Sequence, residues 1–478
     1  MYVGFGALAL LLVFVAVVLF RTLRFTPREQ PRREITLESV DLERAVSRLG
    51  ELVKCKTVSR ATHEEEDEAE FEKLYALLPD LYPNVTRVCE RICFEDRGLL
   101  YRWRGKTEGK PSVLMAHFDV VPVEEALWQK PPFEAIIEDG CMWGRGTLDT
   151  KVTFNGILSA ADALIEEGFV PENDVYLAFS GGEEVNGKGA VHIVNYFKEK
   201  GIELSMVVDE GGAVVEKVFP GVSKPCAMVG IAEKGMLNLK YRVTSGGGHA
   251  SAPKPHTPVG LLSRACARVE NNPFPSHITK PVADMFDTLG RHSTFVYRMI
   301  FANLWCFKPV LDLLAKKSGG EMNALMRTTV AFTQMSGSDA PNVIPPEAEM
   351  VSNIRLNPLD TVESAVSYIK KTVDDESVVL EEMNGMNPSR ISQTDCEGYR
   401  RVERAVAATW EGCIVTPYLM VQCSDSRHYG AISDRVYRFS AMDLTSEERA
   451  SIHGNNERIR LETVGKAVEF FLRLIRQC

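Results

Sequence analysis

No CxxC pair occurs in the 478 residues, and the eleven cysteines (55, 89, 93, 141, 226, 266, 306, 396, 413, 423 and 478) are scattered. The missing pair excludes a zinc finger, and the odd count excludes complete intramolecular pairing. Cys89 and Cys93 are near enough in sequence to cross-link in an oxidising compartment, but free thiols are the expectation. A basic balance is missing too. The formal charge of −10 argues against nucleic acid, because phosphate binding needs a basic surface. Internal repeats and long low-complexity tracts are likewise lacking. What remains is ordinary globular composition, 45% hydrophobic and 25% charged, at a length that calls for two domains.

The one long hydrophobic run is at the start. Residues 2–20, YVGFGALALLLVFVAVVLF, carry no charge, and about 20 apolar residues suffice to cross a bilayer. A cleaved signal peptide has a basic start, a shorter apolar core and a small-residue cleavage site. Here RTLRFTPREQPRRE follows with no A-x-A signal, so the run reads as an uncleaved single-pass anchor. Arg21, Arg24, Arg28, Arg32 and Arg33 follow the span, which favours a cytosolic chain. The sequon Asn84-Val85-Thr86 favours the opposite side. A lumenal or extracellular catalytic portion is expected, with topology left open.

Beyond the anchor, Ile35 to Cys55 places apolar residues at 42, 45, 46, 49, 52 and 53, the spacing of a helix with one buried face. Short apolar runs follow at 113–121, 175–184 and 205–212, each ending in polar or glycine-rich residues. Helical patterns at 154–168 and 191–201 lie between them. Such alternation implies parallel βαβ units, with ligands bound beyond the carboxyl ends of the strands. From about Gly235 the texture changes. Alternating strands near 236–244, 326–335 and 349–358, with helices at 258–271 and 362–373, suggest an inserted ferredoxin-like α+β unit. The 276–322 segment between them is less regular. The fold class expected is therefore α/β, a mostly parallel sheet with an α+β lid and an N-terminal helix. Its divisions are an anchor at 2–20, a linker at 21–34, a catalytic domain at 35–232 and 385–478, and the lid at 233–384.

Five places carry chemistry: His117 in AHFDVV, Asp149 in GRGTLDTK, Glu184 in GGEEVNG, Asp209 or Glu210 in VVDEGG, and His453 in SIHGNNE. Each alone has a bland explanation. Asp149 suits a helix cap before Val152, Glu183-Glu184 a solvated pair, His117 a satisfied core histidine, Asp209-Glu210 a turn, and His453 a surface loop. Together they put imidazole and carboxylate groups at the ends of successive strands. An unpaired cluster would repel and raise its own pKa values, a penalty that a cation removes. Imidazole and carboxylate suit zinc, and a bridging carboxylate suits two ions about 3.5–4 Å apart. Cobalt or manganese fit the same donors.

HFDVVP, GRGTLDTK, GGEEVNG, DEGG, GHASAP, NVIPP and IHGNNE, in this order, resemble the zinc metallopeptidase family of carboxypeptidase S, aminoacylase and carboxypeptidase G. The similarity covers residues 36–476 and is greatest to the branch of carboxypeptidase S and N-fatty-acyl-amino-acid synthase/hydrolase. It implies two zinc ions per subunit. His117 and one of Asp209/Glu210, with a lean to Asp209, would hold one; Glu184 and His453 would hold the other; Asp149 would bridge. Asp119 would accept a hydrogen bond from the His117 ring. Glu183 would be the general base. His249, in GHASAP, would donate to the oxyanion, reaching across from a partner subunit in dimeric relatives. Asn342 and Arg355 would bind substrate, Arg355 clamping its carboxylate; the plain alternative is a surface charge on an edge strand. Thr150 and Gly182 depart from an Asp that relatives often carry at each place.

The activity implied is amide hydrolysis of N-acyl amino acids, reversible at equilibrium, with a small-molecule substrate and a possible homodimer. Release of C-terminal residues from short peptides is the alternative. A catalytically silent membrane-anchored binding protein is remote, since every ligand is present. The apolar 297–315 stretch is expected to be core, with a fatty-chain pocket or a membrane contact as the other options.

Overall fold

The computed structural model describes residues 2–28, 38–217 and 219–478. Part of the linker expected at 21–34, and the residues just after it, lie outside that range. Residues 21–24 belong instead to the first helix, α1 (Tyr2–Arg24), four residues longer than the uncharged run. Helix α2 (Leu42–Val53) follows as the apolar spacing predicts, capped by Asp41 accepting from the Arg44 amide and burying Ala45, Val46, Leu49, Leu52 and Val53.

The chain continues through α3 (Glu68–Leu81), α4 (Pro83–Val88), β1 (Glu90–Phe94), β2 (Gly98–Trp103), β3 (Ser112–His117), β4 (Ile136–Glu138) and β5 (Cys141–Trp143). Then come α5 (Lys151–Glu166), β6 (Val175–Ser180), α6 (Gly189–Glu199), β7 (Met206–Val215) and β8 (Cys226–Glu233). The inserted stretch holds β9 (Gly235–Thr244), β10 (Gly248–His249), α7 (Pro258–Asn271), α8 (Lys280–His292), α9 (Phe295–Ala302), α10 (Leu304–Ser318) and α11 (Gly320–Met326). It ends with β11 (Thr329–Ser336), β12 (Val343–Ile344), β13 (Glu347–Leu356), α12 (Val362–Val373) and β14 (Val379–Met386). The last elements are α13 (Glu397–Thr409), β15 (Ile414–Met420), β16 (Val436–Leu444), α14 (Ser446–Ser451), β17 (Arg458–Arg460) and α15 (Leu461–Ile475).

Eight strands form the main sheet, in the order β1-β2-β6-β3-β7-β16-β8-β15. The pairs β6/β3, β3/β7, β7/β16 and β8/β15 are parallel, the mostly parallel arrangement that the strand–helix alternation predicts. Strand β3 is buried along its whole length. Leu114 and Ala116 join the core shared with α5 and α15, while Val113 and Met115 pack with Ile193, Val194 and Phe197 of α6. A strand covered on both faces must be apolar at every position, and this explains the unbroken run in the sequence.

The second sheet, β11-β13-β9-β14, is antiparallel. Its strands β9 and β13 alternate buried and half-buried positions, because helices α7 and α12 cover one face only, packing Leu262, Ala265 and Ile369 against Leu239, Tyr241 and Ile354. The β-α-β-β-α-β path is that of the ferredoxin-like fold. The stretch at 276–322 is more regular than expected. It forms most of α8–α11, and Val282, Phe286, Leu289, Phe301 and Leu311 pack into the main core. All eleven cysteines are free; Cys89 is buried and Cys93 exposed, so the cross-link is not formed.

Candidate metal centre

Strand β3 delivers His117 at its carboxyl end, and β6 delivers Glu183 and Glu184 just beyond Ser180. Strand β7 carries Asp209 and Glu210, and two loops add Asp149, before α5, and His453, after α14. These residues converge. His117 Nε2 lies 3.0 Å from Asp149 Oδ1 and 3.2 Å from Glu210 Oε1. His453 Nε2 lies 3.0 Å from Asp149 Oδ2 and 3.0 Å from Glu184 Oε2. Asp149 therefore turns one oxygen to each histidine, and each histidine has a further carboxylate beside it. Asp149 is no helix cap: Thr150 occupies that position, with no side-chain cap bond.

The lean to Asp209 is corrected. Its carboxylate accepts from the Ser426 amide at 2.9 Å and is buried away from His117, whereas Glu210 joins His117 and Glu183 in one potential ligand group. Neighbours on a strand point to opposite faces, so only one of the pair can enter the site. The second group is His117, Asp149 and Glu184.

Asp119 also differs in detail. His117 Nδ1 is 3.0 Å from the backbone carbonyl of Asp119 and 3.3 Å from its Oδ1. Donation from Nδ1 leaves Nε2 facing the acidic cluster with its lone pair, the arrangement that metal-ligating imidazoles use. The Asp119 carboxylate meanwhile accepts from Ser59 Oγ at 2.7 Å and from the Glu183 and Glu184 amides at 3.2 Å. It fixes the turn bearing the two glutamates as much as it fixes the ring. The strand end thus carries a histidine that faces the cluster and an aspartate that holds the adjoining turn.

The electrostatics are those of a site short of positive charge. Burial pushes Glu183 well above the usual carboxylate range, with Glu210, Asp425 and Glu184 adding to the push and His117 opposing it. Burial, opposed by His117 and reinforced by Asp149, puts Glu210 at about 8. Hydrogen bonds to Asp149 and Glu184 raise His453 to about 10. Burial would raise Asp149 as well, but His117 and His453 hold it below its ordinary value. Buried nitrogen and oxygen donors in this number fit divalent cations, which stabilise the charged carboxylates and the neutral imidazoles together.

A cavity of about 650 Å³ opens over the cluster. Asp149, Glu183, Glu184, Glu210 and His453 line one part, and Val215, Met228, Met420, Met442, Leu444 and Ile452 line another. A surface hollow of about 750 Å³ around His63, Glu68, Arg91 and Arg97 holds none of these residues.

The substrate-binding candidates separate. Arg355 sits on β13, an inner strand of the second sheet, and its Nη1 is 3.6 Å from the sulfur of Cys423, which lines the cavity. It is half-buried rather than a charge on an edge. His249 and Asn342 are neighbours of one another, joined by the Ala250 amide donating to the Asn342 carbonyl at 2.9 Å. Both are exposed and neither lines the cavity of this chain.

Sequence reasoning missed Glu457. Fully buried, it accepts from Arg145 Nη1 at 2.6 Å and from the Leu148 and Gly146 amides at 2.7 and 3.1 Å. It thereby clamps the loop that presents Asp149. Its signal was present, since it closes the IHGNNE motif that holds His453. Lys151 was missed as well: its ammonium donates to the carbonyls of Leu52 and Cys55 at 2.9 and 2.6 Å, anchoring the start of α5.

Residues 113–477 match the model of peptidase family M20/M25/M40, and the chain belongs to this family of metal-dependent hydrolases. Among curated proteins it is 33% identical to a probable carboxypeptidase S-like 2 of Dictyostelium discoideum, across 98% of this chain and 92% of that one. It is 35% identical to an N-fatty-acyl-amino acid synthase/hydrolase of Xenopus tropicalis, across 98% and 93%. Among solved structures, an M20 family metallo-carboxypeptidase from Sulfolobus solfataricus superimposes with a TM-score of 0.66 at 17% identity, covering 91% of this chain and 98% of that one. The carboxypeptidase S-like family and the fold expected from the motifs are thus those observed.

Proposed function

We propose that this protein is a di-zinc amidohydrolase that cleaves, and at equilibrium re-forms, the amide bond of N-acyl amino acids, fatty-acyl amino acids included. The observation that carries this reading is the Asp149 carboxylate held between His117 and His453, with Glu210 and Glu184 on either side, beside an apolar cavity. His117, Asp149 and Glu210 would hold one ion, and Asp149, Glu184 and His453 the other. Bound metal would supply Lewis-acid polarisation of the amide carbonyl and an attacking water of lowered pKa.

Glu183 would take the proton from the attacking water and return it to the departing amine. Arg355, at the Cys423 side of the cavity, receives the free carboxylate of the amino acid. The methionine and leucine side chains offer the acyl chain a dry, adaptable wall. Because His249 and Asn342 lie away from their own chain's cavity, we assign them to the oxyanion and substrate of a second copy in a homodimer. We read α1, of which Phe5–Arg24 is long and apolar enough to cross a membrane, as an uncleaved anchor, with the hydrolase unit on the lumenal or extracellular side.

The likeness to the carboxypeptidase S-like protein favours a second reading, release of C-terminal residues from short peptides. Turnover of a mixed panel of N-acyl amino acids and dipeptides by the full chain in detergent, with and without chelator, separates the two. Dipeptides consumed in preference to acyl amino acids would replace the first reading by the second, and chelator-insensitive turnover would remove both.

A further inference from the structure

Helix α10 is apolar on two opposite sides. Leu311 and Ala315 face the main core, while Trp305, Val310, Leu313 and Leu314 are 50–66% exposed. A helix apolar all round is normally buried on all sides, and here the described residues leave most of the outer stripe bare. On α9, Phe295 and Val296 are similarly bare.

These helices pack against α1, and at a telling height. Phe14 of α1 meets Trp305 edge to face, ring centroids 5.7 Å apart. The buried Asn303 amide donates to the Val18 carbonyl and to Thr22 Oγ1, at 3.2 and 3.3 Å, and Arg21 donates to the Ala302 carbonyl at 3.1 Å. At about 1.5 Å per residue, Phe14 lies roughly 15 Å along α1 from Arg24, half the thickness of a hydrocarbon core of about 30 Å. If the bilayer began beyond these contacts, only residues 2–13 of α1 would lie in it, twelve against the roughly 20 that a span requires. A spanning α1 therefore carries α9 and α10 into the membrane with it.

We propose that α9 and α10 form a membrane-embedded platform beside α1, whose occupant is lipid acyl chain. The inference rests on the anchor reading of α1 and is independent of the substrate. Three polar groups of the segment fit this placement. Asn303 is fully hydrogen-bonded, as polar groups at membrane depth must be. Asp312 turns inward to Arg327 and Lys316, and the Lys308 stem is long enough to lift its ammonium to the headgroups.

The test is photo-cross-linking of the full chain in phosphatidylcholine vesicles doped with a diazirine-tailed phosphatidylcholine, with adducts mapped by peptide mass spectrometry. Adducts are expected on α1 and on peptides from 295–315, and not on β14, whose Val379 and Met383 are exposed apolar controls. The combined variant Trp305→Glu, Leu313→Glu and Leu314→Glu should lose the adducts on 295–315 and keep those on α1, with unchanged hydrolysis in detergent. Adducts on 295–315 with α1 absent from the mature chain would keep the lipid platform and discard the anchor. Adducts confined to α1, or equally dense on β14, would overturn the proposal even without the variant.

Discussion

The two sheets solve the problem of burial in opposite ways, and the difference explains where the chemistry sits. The inner main-sheet strands are covered on both faces, so the buried acids and histidine of the site stand at strand ends or at a break in a strand, where they can meet one another. His117, Glu183, Glu184 and Glu210 all stand there. The second sheet is covered on one face and keeps the other half open. It contributes Arg355, and the separate two-stranded ribbon β10-β12 carries the exposed His249 with Asn342 beside it, residues suited to meeting a substrate or another chain. A dry two-faced sheet concentrates charge at one crevice, while a one-faced sheet presents groups to it.

The strongest break in that division is Glu183→Gln in the main unit. Removing a general base is expected to lower kcat by about 10²–10⁴-fold, with metal content, read by elemental analysis, unchanged; full turnover in this variant would sink the assignment of the base.

Glu457→Gln ranks next. Removing one partner of a buried ion pair costs about 3–5 kcal/mol, and loss of groups that support ligands typically weakens metal binding by about 10–100-fold. The variant should melt at lower temperature and surrender metal to a weaker chelator. A Tm and metal affinity equal to wild type would show that the Asp149 loop holds its shape unaided.

Arg355→Ala tests the other sheet. Loss of a charged hydrogen bond worth about 1.5–3 kcal/mol should raise KM by one to two decades for substrates with free carboxylates. Methyl-ester analogues should be little changed, and an equal loss on both classes would return Arg355 to a structural role.

A last test, read on stability alone, lies at the joint between the sheets. Lys234, buried between β8 and β9, donates to the Ala324 and Arg327 carbonyls, both at 2.8 Å, and burial, helped by nearby Arg355, lowers it from 10.5 to about 7. The unfolded chain therefore binds this proton more tightly than the folded one between those values. Its contribution to stability is complete above pH 10.5 and is lost as pH falls towards 7. Denaturant titrations of wild type and Lys234→Met across this window should diverge in slope, the variant being the flatter.

Much of the fold was legible because its signals are local. The spacing of apolar residues marks α12 to the residue and the buried face of α2, though not its start, and the unbroken run in β3 announces a doubly covered strand. The helices at 276–322 were less legible, since α9 and α10 are apolar on both sides and show no simple amphipathic period. In the site, the five places were legible from residue type and motif order. The choice of Glu210 over Asp209 was not, nor was Glu457, whose partners are loop amides with no pattern of their own.

The amino-acid order by itself determined the family, the two kinds of sheet and the inventory of ligating groups, because side-chain chemistry and short-range periodicity are written residue by residue. Only the folded chain decided that Glu210 and not its neighbour turns inward, that Glu457 clamps the Asp149 loop, and that Asp119 supports the glutamate turn. Those outcomes depend on strand pleat and on loops brought together from distant parts of the chain, and no local stretch encodes either.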